Sequence, residues 1–127
     1  MAKTKVMLVD DEKSFTNLLK LNLEDTGKYE VRVENWPEDA FEAVRQFKPD
    51  IVFLDIIMPR VPGGNVAAQI SNDPEVKDTP IVFLTAAVRK HQVEENEGII
   101  CDRPCLAKPA TIDEVIRMID EHARKPA

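Results

Sequence analysis

Residues 51–55 read Ile51-Val52-Phe53-Leu54-Asp55, and residues 5–12 read Lys5-Val6-Met7-Leu8-Val9-Asp10-Asp11-Glu12. Each is a short, β-branched and apolar run that stops on a carboxylate. A run that is nearly all apolar suits a strand covered on both faces, as in a parallel sheet. Comparable runs lie outward from these at residues 29–34 and 81–84, with a weaker one at 101–107 that Pro104 interrupts. Helical patterns fill the intervals. Phe15, Leu18, Leu19 and Leu23 fall at helical spacing, and Gly27 is a stop signal. Pro37 suits the first turn of a second helix with Ala40, Ala43, Val44 and Phe47 on its inner face. Val66 and Ile70 mark a short third helix that ends before Asp73-Pro74. Thr111-Ile112-Asp113-Glu114 reads as a capping box, followed by Ile112, Val115, Ile116 and Ile119 at i, i+3, i+4, i+7. Residues 89–97 are nearly all polar, with Val93 as their clear anchor.

Strand and helix in alternation predict an α/β fold of βαβ units: a parallel sheet of five strands with helices on both faces and right-handed crossovers. Five strands are too few for an eight-stranded barrel. At 127 residues, with 43% apolar and 31% charged residues, the chain suits one ordinary domain, 1–127, with no output domain. Seventeen basic against 23 acidic residues give a net charge of −6, which argues against direct nucleic-acid binding. The apolar runs are far shorter than the roughly 20 residues a bilayer span needs, so no membrane insertion and a cytoplasmic location are expected. Cys101 and Cys105 are too few for a disulfide framework. With His91 they match no common zinc spacing, so both read as free thiols. Trp36 is expected to pack on the start of the second helix, His91 and His122 to be solvated, and Gly63-Gly64 to form a flexible turn.

In an open parallel α/β sheet, ligands bind outside the carboxyl ends of the strands. The first run is followed by Asp10-Asp11-Glu12, the third ends in Asp55, the fourth in Thr85-Ala86-Ala87, and the fifth region in Lys108-Pro109. Parallel strands bring all of these to one rim. Two carboxylates about 4 Å apart repel by roughly 4 kcal/mol at an effective dielectric near 20, so the cluster calls for a proton or a divalent cation. Hard oxygen donors with room for water suit Mg²⁺, with Mn²⁺ tolerated. A carboxylate beside such a cation, an ammonium and a hydroxyl is equipment for phosphoryl transfer onto that carboxylate. Taken singly, Asp-Asp after a strand is more often a solvated turn, Asp55 could be a helix N-cap, and Lys108 a surface charge.

The stretches V-M-L-V-D-D-E, D-I-I-M-P-R-V-P-G from Asp55 to Gly63, T-A from Thr85 and K-P from Lys108 together resemble the receiver domain of bacterial two-component response regulators, the chemotaxis-regulator type. The likeness covers essentially the whole chain. It implies a flavodoxin-like (βα)₅ three-layer sandwich with strand order 2-1-3-4-5. It further implies Asp55 as phosphoacceptor, Asp11 as a direct Mg²⁺ ligand and Asp10 as one largely through water, with Asp55 and the backbone carbonyl of Ile57 completing the protein ligands. Lys108, in a cis bond to Pro109, would pair with the phosphoryl group, and Thr85 and the Ala86 backbone would form the phosphoryl-binding switch. The donor would be the phosphohistidine of a histidine kinase or phosphotransfer protein. The chain would then be a signalling domain rather than an enzyme. Two rivals remain: a Mg²⁺-dependent aspartate-nucleophile phosphatase, which usually carries a second aspartate where this chain has Ile57, and a phosphorylation-independent interaction module.

The chain departs from the receiver pattern in three places. Cys105 stands where receivers usually carry Tyr or Phe three residues before the lysine, so output is expected to run through backbone movement at residues 85–89 and the polar segment after it. Gly98 lies ten residues before the lysine, farther than the usual turn. Ile57 and Ala87, two residues beyond Asp55 and Thr85, have no polar group to hold an in-line water. Loss of phosphate from phospho-Asp55 should therefore be slow: a decay measurement should give a lifetime well beyond seconds, and a half-life of only seconds would contradict this.

Overall fold

The computed structural model describes residues 3–56, 58, 61–86, 99–100, 103–108 and 110–124. Among these the elements are β1 (Thr4–Val9), α1 (Lys13–Asp25), β2 (Tyr29–Glu34), α2 (Pro37–Phe47), β3 (Ile51–Asp55), α3 (Gly63–Ser71), β4 (Ile81–Thr85), β5 (Ile99–Ile100), β6 (Arg103–Ala107) and α4 (Ile112–His122). The sheet order is β2-β1-β3-β4-β6-β5. The first five in that order pair in parallel, which is the expected 2-1-3-4-5 arrangement. The fifth parallel strand is described over Arg103–Ala107, and a two-residue strand the sequence did not announce, β5, adds antiparallel to its outer edge. Pro104 is tolerated because it opposes Ile99 in that edge pair, whereas the register with β4 begins one residue later at Cys105. The polar segment 89–97, with His91 and Val93, lies outside the described residues, as do Ile57, Ala87, Gly98, Cys101 and Pro109.

Strand side chains alternate between two cores. On one face Met7, Val9, Val52, Leu54, Phe83 and Cys105 pack under α2 and α3, which contribute Ala40, Val44, Val66 and Ile70. On the other, Val6, Leu8, Ile51, Phe53, Val82 and Leu106 pack under α1 and α4, through Leu19, Leu23, Val115 and Ile119. The α4 capping box forms in full: the Glu114 amide donates to the Thr111 hydroxyl at 3.1 Å, and the Thr111 amide donates to the Glu114 carboxylate at 3.0 Å. Pro37 opens α2, and Gly27, at φ 77°, follows the end of α1.

Four places add to or revise the local reading. Leu18 is 61% exposed, because the face of α1 turned to the sheet is Thr16, Leu19 and Leu23. α2 ends on Lys48 in the left-handed region, φ 51°, where no glycine announces it. Trp36 is 52% exposed, its ring near the Lys13 ammonium of α1 at 5.7 Å. Gly63-Gly64 is not a flexible turn but the start of α3. The Gly63 amide donates to the Ile56 carbonyl at 2.8 Å, and a Cβ at Gly63 would lie 2.1 Å from the Asp55 carbonyl oxygen. Only a residue without a side chain lets the α3 N-terminus close onto the backbone that carries Asp55.

Gly63→Ala should therefore shift that backbone and cost about 1–3 kcal/mol. Gly64→Ala meets nothing within 4 Å and should be neutral or stabilising by up to about 1 kcal/mol. The two urea-unfolding midpoints check this; equal values would contradict it.

Candidate functional site at the carboxyl edge of the sheet

The parallel register sets which residues meet. Val9 lies beside Leu54, Asp55 beside Leu84, and Thr85 beside Ala107, so Asp10, Asp55, Thr85 and Lys108 come to one rim. Asp10 is fully buried, Asp55 is 5% exposed, and Asp11 is exposed. One carboxylate oxygen from each of Asp10, Asp11 and Asp55 lies within 4.8 Å of the others. Lys108 reaches in from the end of β6, its ammonium 2.5 Å from Asp10 Oδ2 and 3.7 Å from Asp55 Oδ2.

The loop that carries Asp10 and Asp11 is fixed by its own backbone. The Glu12 amide donates to Asp10 Oδ1 at 2.9 Å, and the Asp10 amide donates to the Glu34 carbonyl at 3.2 Å. The Asn35 side-chain amide donates twice, to the Asp10 carbonyl at 2.8 Å and to the Thr16 hydroxyl at 3.0 Å. Thr16, fully buried, is thereby tied to the loop after β2. A polar residue at a helix position facing the sheet was the signal for this network, and it is legible only once Asn35 is known to lie opposite.

Asp10 Oδ2 is buried and is met by the Lys108 ammonium, 2.5 Å away. Three carboxylate oxygens this close, two of them on buried side chains, fit a hard divalent cation better than a sulfur- or nitrogen-seeking metal. Cys105 offers no competing site. It is buried in the α2/α3 core beside Phe83 and Ala107, and burial pushes its thiol above the ordinary value. His122 lies in the last turn of α4, 3.7 Å from Glu121.

Thr85 ends β4 next to Ala107 of β6, and Ala86 follows, exposed. The backbone thus brings together Asp10, Asp11, Asp55, Thr85, Ala86 and Lys108. A separate open cavity of about 250 Å³, lined by Thr4, Lys28, Tyr29, Asp120 and Arg124 among others, sits at the amino ends of β1 and β2, away from the carboxylates.

The family model for the response regulator receiver domain matches residues 6–120, and the chain belongs to that family. It is 39% identical over 84 residues to a probable transcriptional regulator, ycf27, of Guillardia theta, a match covering 66% of this chain and 32% of that protein. It is 27% identical over 117 residues to the polar-differentiation response regulator DivK of Brucella anthropi, covering 92% of this chain and 94% of that one. The chain spans about a third of the length of the first curated relatives it matches. The solved chemotaxis protein CheY4 of Vibrio cholerae shares the fold, with a TM-score of 0.79 at 24% identity, over 94% of this chain and 98% of that one.

Burial alone would lower the Lys108 ammonium. Its close contact with Asp10, and the charges of Asp10, Asp55 and Glu12, outweigh burial and raise it above the ordinary lysine value. A raised folded-state value means the stabilisation is whole below the unfolded-state value and is lost as pH climbs through the folded one. Lys108→Met, which takes the ammonium away from two buried carboxylates, should cost about 3 kcal/mol near neutrality. In urea unfolding its deficit against wild type should shrink above the lysine range; a deficit independent of pH would contradict the pairing.

Proposed function

We propose that this receiver domain takes a phosphoryl group onto Asp55 from the phosphohistidine of a kinase or phosphotransfer protein, with Mg²⁺ held by the carboxylates, and so switches a protein-docking surface. The observation that carries this reading is the position of Lys108, which spans Asp10 and Asp55 from a different strand. An Asp55 oxygen attacks phosphorus in line, the phosphorus–nitrogen bond breaks, and the imidazole leaves with the electron pair. The attacking carboxylate has no proton to lose, so no general base is required. Lys108 supplies positive charge beside the oxygens that gain negative character. Asp10 and Asp11, with Asp55, would hold the Mg²⁺, which when bound neutralises charge on the transferring group. The Ile57 carbonyl, inferred from the resemblance as a further ligand, lies outside the described residues.

Phosphorylation replaces a carboxylate with a group carrying about one more negative charge and three strong acceptors. On this reading Thr85, the Ala86 amide and Lys108 bind these acceptors. They shift a conformational equilibrium only as far as they bind the modified Asp55 differently in its two states. A full inversion from 1:99 to 99:1 needs about 5.5 kcal/mol, so a partial shift is the expectation. Among the described residues no helix is long and apolar enough to cross a membrane.

Incubation with acetyl phosphate and Mg²⁺, followed by intact mass, should show one added phosphate on wild type and none on Asp55→Ala. Omitting Mg²⁺ should cut labelling strongly. Catalytic turnover of a small phosphomonoester without stoichiometric labelling would favour the phosphatase instead.

A further inference from the structure

Lys108 is held by more than carboxylates. Its ammonium lies 4.9 Å from the centroid of the Phe15 ring, inside the roughly 6 Å over which a cation is drawn to an aromatic face. Phe15 sits in the first turn of α1, four residues after Asp11, and packs half-buried against the α1/α4 core. The ring is thus anchored by the element that begins where the acidic loop ends. We propose that Phe15 is a positioning residue, whose ring holds the Lys108 ammonium at the rim beside Asp10 and Asp55. This rests on the reading of Asp55 as phosphoacceptor for its consequence, but not for its geometry.

The physical need is clear. A lysine side chain has four rotatable bonds, and ordering it costs up to about 2 kcal/mol. Asp10 and Asp55 attract the ammonium from one side. On their own they leave it able to swing toward solvent once a cation occupies the carboxylates and competes for them. A ring face attracts the ammonium without offering an oxygen that the cation could claim. Two other described lysines lie near rings, Lys5 at Phe47 and Lys13 at Trp36, but neither of these ammonium groups is paired with the rim carboxylates. Phe15 therefore acts on recognition of the phosphoryl group through Lys108, without touching the reacting atoms itself.

The test uses the whole chain and the variants Phe15→Leu and Phe15→Tyr. By NMR, the Lys108 side-chain protons should be shifted upfield by the ring in wild type, lose that shift in Phe15→Leu, and regain it in Phe15→Tyr. The beryllofluoride concentration giving half-saturation with Mg²⁺ should rise about 3- to 10-fold in Phe15→Leu and return toward wild type in Phe15→Tyr. Lys108 shifts unchanged in Phe15→Leu would overturn the inference. So would a Tyr variant as weak as the Leu variant, since that points to packing alone. Failure of wild type to take a phosphate at Asp55 would sink the functional reading instead, while the ring-shift comparison still decides whether Phe15 holds Lys108.

Discussion

Three carboxylates forced to one edge of a sheet repel each other, and the structure is organised around that repulsion. Two of them, Asp10 and Asp55, are buried, where water screens least. Among the described residues the cation that meets them is Lys108, brought from the end of β6. This one ammonium faces three carboxylates among those residues, an excess of negative charge. On the proposed reading that excess would favour a divalent cation, and an added cation would make Asp55 approachable by an anionic phosphoryl group.

The rest of the fold keeps that arrangement from relaxing. Apolar strands packed on both faces fix the register, and the register fixes which strand ends are neighbours. The loop after β1 is held by Asn35 from the loop after β2, so Asp10 cannot retreat without breaking bonds to a second element. On the other side Gly63 allows α3 to close directly onto the Asp55 backbone. The Phe15 ring adds a contact on Lys108 that carries no negative charge.

Much of this was legible in the residues. Runs that are nearly all apolar mark buried strands, and the residues just after them mark the rim, because a parallel sheet sends all carboxyl ends the same way. The α4 boundary was legible because Thr111 and Glu114 bond within one turn. What stayed hidden depends on contacts between distant segments. Thr16 rather than Leu18 faces the sheet because a tertiary partner, Asn35, satisfies its hydroxyl. Gly63 looks like any loop glycine until the Asp55 carbonyl is seen against it. Lys48 adopts a left-handed conformation that glycine or asparagine would have signalled, and β5 is too short to have a pattern at all. Phe15 was legible as apolar, but its second role needed the position of Lys108.

The central claim is that Asp10, Asp11 and Asp55 share one divalent cation beside Lys108. Crystals of the protein soaked in Mn²⁺ and measured for anomalous scattering test it most directly. One strong peak among the three carboxylates, lost in Asp11→Asn, is the predicted result. A rim without a peak, in crystals that bind Mn²⁺ elsewhere, would contradict it.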